Sequence, residues 1–338
     1  MALTVQRDLD TVVAGFVAWL AGRRSADVTV DGVERPTDGW SSETVLIRAR
    51  IDGRAEGFAV RLGPDGDGIF PTYDLGLQAR AHQLAHDRGV PAPLPTELVD
   101  GVLDDAFLVM PFVDGHVPGE MPAFDPWIGT LPVDRRTTLY EGVVDALVAL
   151  HGQEPPEDGE LPRRSVTDEL AWWGDYLAWS ADGDRPIPVL TRALAWCTEH
   201  RPASEPSAGM LWGDVRLGNV VFTDDGAIAA VLDWEMATVG APEHDVAWWW
   251  ALEAMQDDLA GGRGDGFPTI AALRSRYEAG LGRPLQDLAW FETFALFRSA
   301  AVLTRIGIVQ QRAGLPLRMP LDDNPVLDHL SRRVGGTP

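Results

Sequence analysis

Apolar residues recur every three or four positions at Leu9, Val12, Val13, Phe16, Val17 and Leu20. That spacing predicts one amphipathic helix over residues 8 to 23. The period then shortens, and strands are predicted at Val28–Val30, Thr44–Ile51 and Gly57–Leu62, with Asp52-Gly53 as the tight turn joining the last two. Helical spacing returns from Leu75 to Arg88 and stops at Gly89. Pro91, Pro93 and Pro95 open an extended piece, Ala106–Met110 reads as a strand, and Pro111–Gly115 as a connector. Beyond it the pattern is mainly helical: Thr137–His151, a Trp-rich region over 167–200, a helix opened by Gly240–Trp248, and helices over 268–280 and 287–312. The tail after Pro320 reads as peripheral.

Composition narrows the class. The chain has 338 residues, of which 45% are hydrophobic and 13 are Trp, enough for a packed core in two lobes. No run of about eighteen apolar residues exists, so no membrane span is expected. The first residues lack a basic start followed by an apolar run, so no secretion signal is expected, and a lone Cys197 fits a cytoplasmic protein. A net charge of −23 disfavours nucleic acid as a partner. It permits a cationic ligand, although acidic surfaces usually serve solubility alone. Glu253, Asp257 and Asp258 are the acids that could meet a polyamine, with a solvated helix face as the simpler account. All 28 basic residues are Arg. Oligomeric state is not legible.

The chemistry concentrates in Leu211–Phe222 and the following Val231–Glu235. Two apolar, strand-like segments each deliver polar oxygens at a turn. Asn219 follows Asp214 by five residues, and Asp233 follows Asn219 by fourteen. Phosphoryl transfer needs a carboxylate that takes the proton of an attacking hydroxyl, and hard oxygen ligands for Mg²⁺ on the nucleotide phosphates. Asp214 suits the first task, and Asn219 and Asp233 the second. Asp and Asn are also common turn residues, which is the plain structural alternative.

Upstream features add to this reading. Ala59 and Arg61 share one face of the third strand, where a small residue leaves room for a flat base and a cation reaches phosphates. The turn Thr37–Ser42 ends in Ser41 and Ser42, whose hydroxyls could lie over phosphates, or simply close a hairpin. His151 reads as a helix-end residue.

With these residues in place, the chain resembles the aminoglycoside phosphotransferase-like family of small-molecule kinases over residues 28 to 300, most specifically over Trp212–Trp248. The resemblance implies an α+β, protein-kinase-like fold of two lobes, residues 1–114 and 115–338. The smaller would hold an antiparallel sheet and one helix, and the larger would be mainly helical. It implies Asp214 as catalytic base, Asn219 and Asp233 as metal ligands, and Arg216 as a cation near the transferred phosphate. Arg61 would stand at the phosphate-binding Lys position, Met110 and Phe112 in the hinge beside the base, and Asp245 as a brace for the catalytic loop. Three positions depart from the family pattern: Trp212 for His, Arg61 for Lys, and Gln78 for the Glu that would pair with the strand cation. The implied cofactors are ATP, with GTP as an option, and Mg²⁺. The implied partner is a small-molecule hydroxyl acceptor, with aminoglycosides, macrolides, choline-like alcohols, sugars and hydroxyacyl thioesters all open. A kinase-like protein that binds nucleotide or ligand without transferring phosphate is the alternative.

Overall fold

The computed structural model describes residues 7–36, 41–180, 187–317 and 319–335. The first helix, α1 (Leu9–Arg24), is capped by Asp8, whose side chain accepts from Thr11 N. It turns Val12, Phe16 and Leu20 inward. Five strands follow: β1 (Val28–Glu34), β2 (Glu43–Ile51), β3 (Arg54–Leu62), β4 (Glu97–Val99) and β5 (Phe107–Pro111). They form one antiparallel sheet in the order β1-β2-β3-β5-β4. Asp52 and Gly53 both have positive φ, 49° and 83°, the twist a two-residue hairpin requires.

Alternation gives the sheet two working faces. Val45, Ile47, Phe58, Val60, Phe107 and Val109 pack with α1 into one apolar cluster. On the other face Ala59 pairs with Met110 and Arg61 with Leu108 across β3 and β5. That face receives α2 (Leu75–Asp87), whose Leu75 and Ala79 meet Ala59, Leu108 and Met110. The sheet thus carries a helix on each face, one more than the family resemblance implied.

The rest of the chain is mainly helical. It comprises α3 (Pro126–Thr130), α4 (Val133–His151), α5 (Val166–Ser180), α6 (Pro188–Glu199), α7 (Glu243–Ala260), α8 (Ile270–Leu281), α9 (Leu288–Arg312) and α10 (Pro325–Arg333). Helix α9 packs against α5, α6, α7 and α10. Two small antiparallel pairs sit among the helices: β6 (Gly209–Leu211) with β9 (Thr238–Gly240), and β7 (Val220–Phe222) with β8 (Ile228–Val231). The large core extends across this part and takes in Leu77, Ala81 and Ala85 of α2, so that helix joins the sheet to the helical body. No described helix is long and apolar enough to cross a membrane.

Two expectations need correcting. The tail after Pro320 is not peripheral: α10 buries Val326, Leu327 and Leu330 in the main core. Each such side chain contributes about 1.5–3 kcal/mol of burial. The acids that read as a solvated helix face, with a polyamine site as the other option, are instead engaged. Glu253 is buried and, with Asp257, binds Arg263 Nη1 at 2.9 and 2.8 Å, and Asp258 lies 3.4 Å from His329.

Candidate active site

The predicted acids converge on two loops that leave β6 and β8. After β6 the chain passes Gly213, whose φ of +98° and close approach to Met236 leave no room for a Cβ. Asp214 follows, and then a single 3-10 turn, Leu217–Asn219. Leu232 N donates to Asn219 O at 2.8 Å, which holds the loop after β8 against the 3-10 turn. The next residue, Asp233, sits at φ +60°. Left-handed backbone is tolerated by Asp better than by most residues.

Three donors fix the Asp214 carboxylate. Trp248 Nε1 reaches Oδ1 at 3.0 Å, while Asn219 Nδ2 and Arg216 Nε reach Oδ2 at 2.7 and 3.1 Å. Asn219 Nδ2 also donates to the Asp214 backbone carbonyl. With its amide nitrogen used in this way, Asn219 keeps its side-chain oxygen as the acceptor, the atom that could ligate a metal ion. The side chains of Asp214 and Asp233 each remain 20% exposed, so both carboxylates are accessible.

The loop is braced from below. Asp245, in the first turn of α7, accepts from Trp212 N at 2.7 Å and Gly213 N at 2.9 Å. His151 Nε2 lies 3.2 Å from the same carboxylate, and Tyr277 holds the other ring nitrogen. His151 is therefore a buried link in this brace as well as the last residue of α4. Trp212 does not disturb the loop: its indole is buried and donates to Leu232 O at 2.8 Å, a second tie between the loops.

The sheet side supplies the cation. Arg61 Nη2 meets Asp233 Oδ1 at 2.7 Å and Glu235 Oε2 at 3.1 Å. Burial pulls the guanidinium pKa down, but Asp233 and Glu235 more than offset it, and the net shift is upward. Gln78 is not its partner; it is buried with Nε2 unpaired among the described residues. Glu235, two residues beyond Asp233, supplies the carboxylate expected from α2. Burial and the nearby Asp233 charge push the Glu235 carboxyl up to about 7.

The remaining candidates are placed unevenly. Ser41 and Ser42 donate to Glu235 Oε2 at 2.8 and 3.4 Å, so they reach the site through that carboxylate. The rest of their turn, Thr37–Trp40, lies outside the described residues. Ala59 and Met110 face α2 as neighbours on the inner face. Phe112 departs from them: its ring lies against Arg48, and its backbone N–H is already donated to Gly57 O. Arg216 is held between Asp214 and Glu120, the latter at 3.8 Å.

Glu235 and Trp248 stand in segments the sequence singles out, yet no pattern marks their roles. Both act through partners more than thirty residues away.

Residues 32–276 match the family described as the phosphotransferase enzyme family. The chain belongs to that family. Among solved structures, this family member is similar to a Ralstonia eutropha protein described as a candidate aminoglycoside phosphotransferase, with a TM-score of 0.64, 21% identity and coverage of 96% of this chain and 95% of that one. A macrolide 2'-phosphotransferase from Brachybacterium faecium gives 0.55 at 17% identity, covering 93% and 97%. The GDP complex of aminoglycoside 2'-phosphotransferase-IIIa gives 0.57 at 14% identity, covering 95% and 98%. At these identities the likeness establishes the kinase-like fold: a small sheet lobe and a larger helical one. Curated relatives include acyl-CoA dehydrogenase family member 10 of Mus musculus, 26% identical over 72% of this chain and 24% of its own length. Family member 11 of Homo sapiens is 24% identical over 72% of this chain and 32% of its own length. The chain thus spans a third or less of these relatives.

Proposed function

We propose that the protein transfers the γ-phosphate of ATP, or of GTP, to a hydroxyl of a small-molecule acceptor. The observation that carries this reading is the Asp214 carboxylate, accessible yet fixed by three donors beside Asn219 and Asp233. Such a carboxylate can orient a hydroxyl and accept its proton, while positioning and charge supply most of the rate. The nucleotide lies between the two lobes, residues 1–114 and 115–338, with its base near Ala59 and the Met110–Phe112 backbone. Arg61 binds its phosphates, and Ser41 and Ser42 steady that end through Glu235.

The donor set fits Mg²⁺. Asp233 and Asn219 offer hard oxygens, and three carboxylates, Asp214, Asp233 and Glu235, face two guanidiniums, Arg61 and Arg216. Asn219 and Asp233 would hold the ion from the protein side, and among the described residues no group of three or more His, Cys, Asp or Glu is arranged to hold a metal. Mg²⁺ bound there offsets phosphate charge. Arg61 would bind a phosphate oxygen from its place beside Asp233, and Arg216 would stabilise the transferred group from its place beside Asp214.

The test is a screen of hydroxyl-bearing compounds for acceptor-dependent release of ADP. Phosphorylated product in the presence of Mg²⁺ supports the reading. Nucleotide binding with no transfer to any acceptor would instead favour a kinase-like binding protein.

A further inference from the structure

A cavity of about 230 Å³ is lined by Gly213, which precedes Asp214, and by Glu235, Trp173, Arg164, His244 and Arg298. Arg298, on α9, is only 4% exposed. Its guanidinium is held between the rings of Trp173 and Trp248, each centroid 4.9 Å from Cζ. Its Nε has no hydrogen-bond partner, and among the described residues no carboxylate oxygen lies within ion-pair distance of it. A buried guanidinium without a hydrogen-bonded acceptor is costly unless something else completes it.

The other charged groups along this cavity are committed. Glu169 accepts from Arg164 Nη1 and from Trp173 Nε1. Asp245 is taken by the Trp212 and Gly213 amides, and Glu235 by Arg61 and Ser41. Three aromatic rings here already carry the protein's own cations: Arg298 lies on Trp173 and Trp248, and Arg164 on Trp172. Glu169 and Asp245 act on Arg298 only through space; what its guanidinium lacks, among the described residues, is a hydrogen-bonded acceptor.

We propose that Arg298 anchors a carboxylate of the acceptor, so that the substrate of this site is a small hydroxy acid. The inference rests on the phosphotransferase reading above and names its acceptor class. Trp248 supplies the link to the chemistry, since one ring face meets Arg298 and its Nε1 donates to Asp214 Oδ1 at 3.0 Å. A ligand whose carboxylate sits on Arg298 extends along the cavity toward Gly213 and brings its hydroxyl to the neighbouring Asp214. A planar carboxylate matches the fork of a guanidinium that has no other hydrogen-bonded acceptor. A phosphate dianion would need more cations than Arg298 alone, with Glu169 nearby. Burial lowers the Arg298 pKa, and Glu169 and Asp245 offset this only in part; a bound carboxylate would restore it.

The experiment is a ligand-detected NMR titration of the nucleotide-free protein. The probes are hydroxybutanoates differing in hydroxyl position, the matching hydroxybutanamides, and methyl phosphate. At least one carboxylate should bind at least about tenfold more tightly than its amide, the discrimination a charge-assisted hydrogen bond gives. Arg298→Gln should abolish that preference and Arg298→Lys should keep part of it, with tryptophan fluorescence reporting the fold. If the Gln variant does not fold, the carboxylate-to-amide ratio in the native protein and in Arg298→Lys decides. Equal binding of acids and amides, no binding of any acid, or tighter binding of methyl phosphate would overturn the proposal. Because binding is read without nucleotide or turnover, these results stand apart from whether the protein transfers phosphate.

Discussion

Arg61 on β3 and Asp233 on the loop after β8 lie 172 residues apart in sequence and 2.7 Å apart in space, from Nη2 to Oδ1. This ion pair joins the sheet to the catalytic side of the cleft, and Glu235 doubles it at 3.1 Å. A cation poised between a metal-ligand candidate and a second carboxylate sets the charge that an incoming triphosphate meets.

Arg61→Met should therefore raise KM for the nucleotide by about tenfold or more, the weight of one charge-assisted contact. Arg61→Lys should keep most of the affinity, because a point charge still reaches phosphate oxygens. Steady-state kinetics with the nucleotide varied checks both. Unchanged KM in the Met variant would remove Arg61 from phosphate binding.

Trp248 donates to Asp214 and covers Arg298, and the two tasks separate in one substitution. Trp248→Phe keeps an aromatic face but loses the N–H. A drop in kcat of roughly ten- to a hundredfold is expected, the range for a hydrogen bond to a charged group. Stability should change little. Full kcat in that variant would show that the indole does not orient the carboxylate.

Asp245 holds the loop by two backbone amides. Asp245→Asn can accept only one of these bonds through its single oxygen, and leaves a buried N–H unpaired. A loss of about 2–4 kcal/mol in urea unfolding is expected, from the unpaired donor and the lost charge. Native stability would contradict the brace.

Two histidines give the protein an acid limit. Burial pushes His82 down to about 3, with the Arg61 charge adding to it, and burial pushes His244 down to about 4. Their folded pKa values lie below the unfolded value of about 6.5, so the unfolded chain binds more protons in the interval between. Stability should be full above that unfolded value and fall as pH drops toward the folded values. Near pH 5 each histidine accounts for about 2 kcal/mol. Urea unfolding at neutral pH and near pH 5 checks the slope, and His82→Gln should remove its share.

Much of this arrangement is legible in the sequence because it is local. The alternation of β2, the Asp52-Gly53 turn and the spacing of Asp214, Asn219 and Asp233 lie within short stretches; the strand and turn form as read, and the three polar residues fall on two loops joined by a backbone hydrogen bond. What is not legible depends on distant partners. Nothing in the order of residues shows that Arg61 pairs with Glu235 in preference to Gln78, that Trp248 reaches Asp214, or that Arg298 on α9 lines one cavity with Gly213. The polar look of Glu253 and Asp257 conceals a buried pairing with Arg263, because periodicity records polarity and not the partner that neutralises it.

The most direct test is phosphate transfer by the Asp214→Ala variant, followed by phosphorus NMR with Mg²⁺, ATP and an acceptor on which the native protein is active. A fall in kcat on the order of a hundredfold or more is expected, with nucleotide binding retained, since removing a general base typically costs at least that much. Transfer at the native rate by the alanine variant would contradict the account.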